Sequence, residues 1–154
     1  MNKIIISLSL IFTLLSSCGY QKLNNLENRN YKMDSVQLDG DKRIGYQIKN
    51  IILLSSSKES NNAIDISLDI SKTKNIKEKS ETNTITKYNL VLNIAAKIDL
   101  KKHNKSIENI FSQSSDFTVA ENHSDTLANE KKALEFLSEK VAEDIVNVLN
   151  LTNK

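Results

Sequence analysis

The chain has 154 residues, 26% of them charged, and its 21 basic and 19 acidic side chains leave a formal net charge of +2. That balance excludes a bulk nucleic-acid binder, and because only Arg29 and Arg43 are arginine, any anion site must rely on lysine as a point charge. Three glycines (Gly19, Gly40 and Gly45) rule out a glycine-rich phosphate cradle, and one cysteine rules out an internal disulfide; with no proline, turns fall to Gly, Asn, Asp and Ser.

Met1-Asn2-Lys3 supplies one positive charge, and Ile4 to Leu15 is an apolar run broken only by Ser and Thr. Together with the small residues at its end, this reads as a secretory signal peptide over residues 1–17. A run of about twelve residues is too short to span a bilayer, which takes about twenty. Leu15-Ser16-Ser17-Cys18 resembles the lipobox of bacterial lipoproteins. The resemblance implies a diacylglyceryl group on the Cys18 thiol, cleavage before Cys18 and acylation of the new amine. Two or three long chains on one residue would anchor the protein, where a single one holds only marginally. Residues 18–30 then read as a lipidated N-terminus and a polar, flexible tether that reaches at most about 40 Å.

The remaining residues, 31–154, read as one domain. Tyr31 to Leu38 is a strand in which Val36 and Leu38 share a parity that Tyr31 and Met33 do not, so a bulge or register change is expected. Asp39-Gly40-Asp41 forms a turn ending in a helix N-cap, and Ile44, Ile48, Ile51 and Leu54 or Ser55 give residues 42–54 a helical stripe. A Ser/Asn-rich loop follows over 55–62. Ile64, Ile66, Leu68 and Ile70 alternate with Asp65, Ser67, Asp69 and Ser71, the pattern of a strand with one buried and one wet face. Thr73 to Asn83 reads as a basic, polar loop. Tyr88, Leu90, Leu92, Ile94, Ala96, Ile98 and Leu100 then share one face of a strand over 84–100, and Lys101 to Lys105 makes a hairpin loop. A return strand over 106–119 places Ile107, Phe111, Phe117 and Val119 on one parity, with a polar, bulged or exposed middle at Ser112 to Asp116. Ser124 is the expected N-cap of a long final helix striped by Leu127, Leu134, Leu137, Val141, Ile145 and Val148. The patterns give an α+β fold: a single, mostly antiparallel four-stranded sheet with two helices on one face, in the order β-α-β-β-β-α, and a polar opposite face.

No catalytic constellation is visible. His103 and His123 have no second ligand type at metal spacing and read as solvated loop residues. There is no nucleophile elbow and no Ser-x-x-Lys box. The chain is expected not to be an enzyme and to need no cofactor beyond the lipid on Cys18.

Several segments in this order resemble the LPS-assembly lipoprotein LptE family. They are Cys18-Gly19-Tyr20, Gly45-Tyr46-Gln47-Ile48-Lys49-Asn50 in the first helix, and Thr86-Lys87-Tyr88-Asn89-Leu90 opening a strand that ends Ile98-Asp99-Leu100. Phe111 to Phe117 returns, and Ala128 to Leu149, with Val141-Ala142-Glu143-Asp144-Ile145, closes the domain. The resemblance implies a lipid-anchored protein on the periplasmic face of the outer membrane. Its implied partners are an LptD-type outer-membrane β-barrel, whose lumen it plugs and whose assembly it assists, and lipopolysaccharide. Gly19 after the lipidated cysteine fits outer-membrane sorting, since Asp there is the usual retention signal. Basic residues in the family contact lipopolysaccharide phosphates, and Lys77, Lys79 and Lys87 are the best-placed candidates here. The competing reading is a lipid-anchored periplasmic binding module, or an accessory subunit of another envelope complex, which would need a concave apolar pocket between sheet and helices.

Overall fold

The structure, a computed structural model, describes residues 30–152; the expected signal peptide, Cys18 and most of the tether lie outside the described residues. Strand β1 (Lys32–Gly40) leads into helix α1 (Lys42–Leu54), and β2 (Ala63–Lys79), β3 (Ile85–Leu100) and β4 (Lys105–Thr118) precede helix α2 (His123–Thr152). The sheet runs β1-β2-β3-β4. β1 pairs parallel to β2, as the intervening α1 crossover demands, and the other two pairings are antiparallel hairpins. The expected element order, sheet and helix count are all present.

Period-two burial builds the core. Ile64, Ile66, Leu68 and Ile70 of β2 and Leu90, Leu92, Ile94 and Ile98 of β3 are all 3% exposed or less. Helix α1 covers them with Ile44, Ile48 and Ile52, and α2 with Leu137, Val141, Ile145 and Leu149. Each such side chain contributes about 1.5–3 kcal/mol when fully buried. The parity change in β1 is a bulge: the register with β2 shifts between Met33 and Ser35, which lets Tyr31 be fully buried while Val36 and Leu38 also face the core. The Tyr31 hydroxyl donates to the Ile52 carbonyl at 3.3 Å, so burying the ring leaves no unsatisfied phenol.

The turn before α1 is the tightest point of the chain. Gly40 has φ +78°, and a Cβ there would stand 2.0 Å from the Ile70 carbonyl oxygen, so both the left-handed backbone and the close approach require glycine. Asp41 caps α1 as expected, its carboxylate accepting from the Ile44 amide at 3.3 Å.

Several expectations change or narrow. Residues 73–79 belong to β2 and are not a loop, because Lys72, Lys74 and Ile76 continue the ladder opposite Leu92, Leu90 and Tyr88. The true turn, 80–84, is closed by Ser80 donating to the Thr84 carbonyl at 2.8 Å and by Asn83 at φ +62°, asparagine tolerating the left-handed region where no glycine is available. The polar middle of β4 is exposed and not bulged: each residue from Ser112 to Asp116 faces one partner on β3, and Ser112, Ser114 and Asp116 are exposed. Helix α2 begins at His123, so Ser124 lies inside it, and the Asn122 carbonyl accepts its first bond from Thr126 at 3.2 Å. Finally, Leu54 and Leu127 leave their stripes, at 69% and 51% exposed, because Ile52 takes the buried position in α1 and the first turns of α2 do not lie over the core.

Candidate functional site

The sheet face opposite the helices is the largest feature the core does not explain. Ser67, Asp69, Ser71 and Thr73 of β2 stand beside Lys97, Ala95, Asn93 and Val91 of β3. Those in turn face Glu108, Ile110, Ser112 and Ser114 of β4. Short hydroxyl and amide side chains dominate, so the face is wet and low in relief. A shallow depression of about 460 Å³ lies across it, between Asp39, Ser67 and Asp69 on one side and Glu108 and Ile110 on the other. Ile110, 80% exposed, is the one large apolar side chain standing out of this face.

A charged clamp closes one end of the face. The Lys101 Nζ, in the 3-10 turn after β3, lies 2.7 Å from Asp34 Oδ2 in the β1 bulge and 3.1 Å from Asp65 Oδ2 on β2. The Ser35 hydroxyl donates to Asp65 Oδ1 at 2.6 Å. The Lys101 hydrogen bond holds the Asp34 carboxyl below the usual carboxylate range. Asp65 is lowered too, first by the Ser35 hydroxyl and then by Lys101, while Asp34 and then Asp65 raise Lys101. Bulge, central strand and turn are thereby tied by one ammonium group.

The far end carries the lysines expected to meet phosphate, all on the β2–β3 arm. Lys77 sits at a register shift in β2 and is ion-paired to Asp116 of β4, which also accepts from Asn89 Nδ2 at 2.8 Å. Lys87 pairs with Glu78 at 2.8 Å, and Lys79 donates to the Asn83 side-chain oxygen at 3.0 Å. The Lys77 contact first, then Asn89, holds Asp116 below the ordinary carboxylate range, and Glu78 raises Lys87. The arm thus gathers the three candidates, but two are already matched by carboxylates that an incoming phosphate would have to displace.

The cluster around Lys74 has no counterpart in the sequence patterns. Its Nζ lies 4.6 Å from the Tyr88 ring centre and 5.2 Å from that of Phe117, two rings stacked at 5.5 Å, and it pairs with Glu130 of α2 at 2.6 Å. The lysine stem covers apolar surface where the isoleucine alternation of β2 ends. Among the described residues no group of three His, Cys, Asp or Glu side chains could hold a metal ion, and no helix is long and apolar enough to cross a membrane. His103 and His123 are exposed, in the 3-10 turn and at the start of α2.

No family model matches this chain, and no curated protein does. Solved structures do. A protein of Caulobacter crescentus CB15 described as a candidate lipoprotein superposes with a TM-score of 0.60 at 13% identity, covering 84% of this chain and 96% of that one. Rare lipoprotein B of Shewanella oneidensis gives 0.54 at 12% identity over 77% and 96% of the two chains. Uncharacterized lipoprotein B of Nitrosomonas europaea gives 0.53 at 16% over 78% and 84%. At such identities the likeness is one of fold: this chain folds as these lipoproteins do.

Proposed function

We propose that the chain is a lipid-anchored lipoprotein of the outer membrane that plugs an LptD-type β-barrel, assists its assembly and takes part in passing lipopolysaccharide to the cell surface. The observation that carries this reading is the fold shared with rare lipoprotein B and other lipoproteins, in a chain whose Leu15-Ser16-Ser17-Cys18 offers a lipidation site. The open sheet face supports it, since a porin-like lumen is polar and a plug must present hydroxyl and amide groups to it. Burial supports it as well. The space between sheet and helices is filled by isoleucine and leucine, where the binding-module reading needs an apolar pocket. Lys77, Lys79 and Lys87 remain the proposed phosphate contacts, with Lys79 the one that no carboxylate engages among the described residues.

The test is a mild-detergent pulldown of the C-terminally tagged protein from native outer membranes, read by mass spectrometry. A large barrel near one-to-one is expected; recovery of the lipoprotein alone, or with an unrelated assembly, overturns the reading. Cys18→Ala is expected to leave an uncut, unlipidated precursor, and an unchanged mature band refutes the anchor.

A further inference from the structure

Helix α1 carries Lys42, Arg43 and Lys49 and no acidic residue at all, in a chain whose basic and acidic groups otherwise nearly balance. Its buried side holds Ile44, Ile48 and Ile52. On the outer side Lys42, Tyr46, Lys49 and Leu53 follow at steps of four, three and four, so they form one stripe along the helix. Tyr46 is 57% exposed, Leu53 40%, and Leu54 at the tip 69%. Single exposed apolar residues are ordinary; here they alternate with cations along one line. Those cations are also unspent. Among the described residues neither Lys42, Arg43, Lys49 nor the neighbouring Lys58 lies within ion-pair distance of a carboxylate, in contrast to Lys74, Lys77, Lys87 and Lys101.

The stripe ends at a depression of about 1050 Å³ lined by Lys32, Met33, Leu53, Leu54 and Lys58, with Glu59 as its one acidic residue. The chain arrives beside this depression. The Asn30 carbonyl accepts from Ser60 Oγ at 2.8 Å and from Asn62 Nδ2 at 2.9 Å, and the Tyr31 carbonyl accepts from the Ser57 amide at 2.8 Å. A lipid on Cys18 would hold Asn30 within about 40 Å of a bilayer, the reach of the intervening residues. The tether thus joins the domain at this corner and is long enough to let it reach the membrane.

We propose that the Lys42–Tyr46–Lys49–Leu53 stripe and the Leu53–Leu54 tip seat the domain on an anionic lipid bilayer. Tyrosine and leucine enter the headgroup boundary and the unpaired cations meet lipid phosphates, the pattern of an interfacial helix. This inference rests on the lipid-anchor part of the proposed function and concerns the tethered domain before a barrel encloses it. The test uses the lipidated full-length protein in phosphatidylcholine vesicles with and without phosphatidylglycerol. Lipidation consumes the Cys18 thiol, so Leu54→Cys introduces a single site for an environment-sensitive fluorophore, and Ile110→Cys gives a control on the open sheet face. The expected result is a blue-shifted emission at position 54 with phosphatidylglycerol present, a water-like emission at 110, and loss of the shift at 54 in a Lys42→Glu/Lys49→Glu background or when Tyr46→Ser is added. Water-like emission at 54 in phosphatidylglycerol vesicles, or a shift indifferent to charge reversal, overturns the seat. Mass spectrometry of the Cys18 peptide separates the two readings. A bare thiol overturns the anchor and the seat with it, whereas a lipidated Cys18 with a water-exposed label overturns the seat alone.

Discussion

β2 is one strand with two unlike halves. From Ala63 to Ile70 it lies between β1 and β3, hydrogen-bonded on both edges, with its isoleucines and Leu68 under the helices. From Ser71 to Lys79 it pairs with β3 alone, and every residue is exposed. The first half is held by burial. The second is held by ladder hydrogen bonds, by lysine stems laid over apolar neighbours, and by ion pairs that water and salt weaken. A strand can thus continue well past its core if the neighbouring strands supply the apolar surface, as Tyr88 of β3 and Phe117 of β4 do beneath Lys74.

Cutting the two halves in the same way should expose the difference. Ile66→Ala, at a residue 1% exposed, is expected to cost about 2–5 kcal/mol in denaturant unfolding, the transfer term plus a cavity. Gly40→Ala, on β1 opposite Ile70 where the doubly paired half ends, should cost about 3 kcal/mol, since a Cβ at φ +78° meets the Ile70 carbonyl and the backbone must shift. Ile76→Ala, at 53% exposure, should cost under about 1 kcal/mol. Equal losses at Ile66 and Ile76 would erase the distinction. Lys74→Met keeps an apolar stem but removes the charge over the two rings, and should cost about 0.5–1 kcal/mol. In a cycle with Tyr88→Leu that penalty should shrink; an unchanged penalty would mean that Lys74 acts through Glu130 or Phe117 and not through Tyr88.

The first half of β2 was legible because Ile64, Ile66, Leu68 and Ile70 alternate without a break, and β3 reads the same way from Tyr88 to Leu100. The second half was not. Lys72 and Lys74 occupy the core-side positions, and hydropathy scores the ammonium group while the pairing uses the stem. The α1 and α2 stripes were legible in period but not in extent, since nothing in the spacing of Leu54 or Leu127 tells where the sheet beneath them stops. The candidate lysines were visible as charges, yet Asp116, the partner of Lys77, comes from another strand at a separation that only the fold reveals. Charge matching therefore separates Lys77 and Lys87 of the far arm from Lys42 and Lys49 of α1, a difference that the lysines' places in the sequence do not show.

The smallest effect, and the one that compares the two ends of the sheet most directly, is acid sensitivity. Asp34 and Asp65 at the clamp and Asp116 on the arm all have folded-state values lowered by hydrogen bonds, chiefly from Lys101, Ser35 and Lys77 respectively. A carboxyl lowered by folding favours the native state above its unfolded value, near 4, and that stabilisation disappears as pH falls through the folded value. The wild type should therefore lose stability below about pH 4. Lys101→Met removes the main partner of Asp34 and the second partner of Asp65, so its unfolding midpoint should fall below that of the wild type at pH 6 and the two should converge near pH 2. Lys77→Met should show the same convergence with a smaller gap, because only Asp116 loses its partner and Asn89 still donates to it. All these groups are solvated, so added salt should narrow both gaps. A gap that persists unchanged at pH 2 would mean that Lys101 acts through the packing of its stem against the bulge and not through its charge.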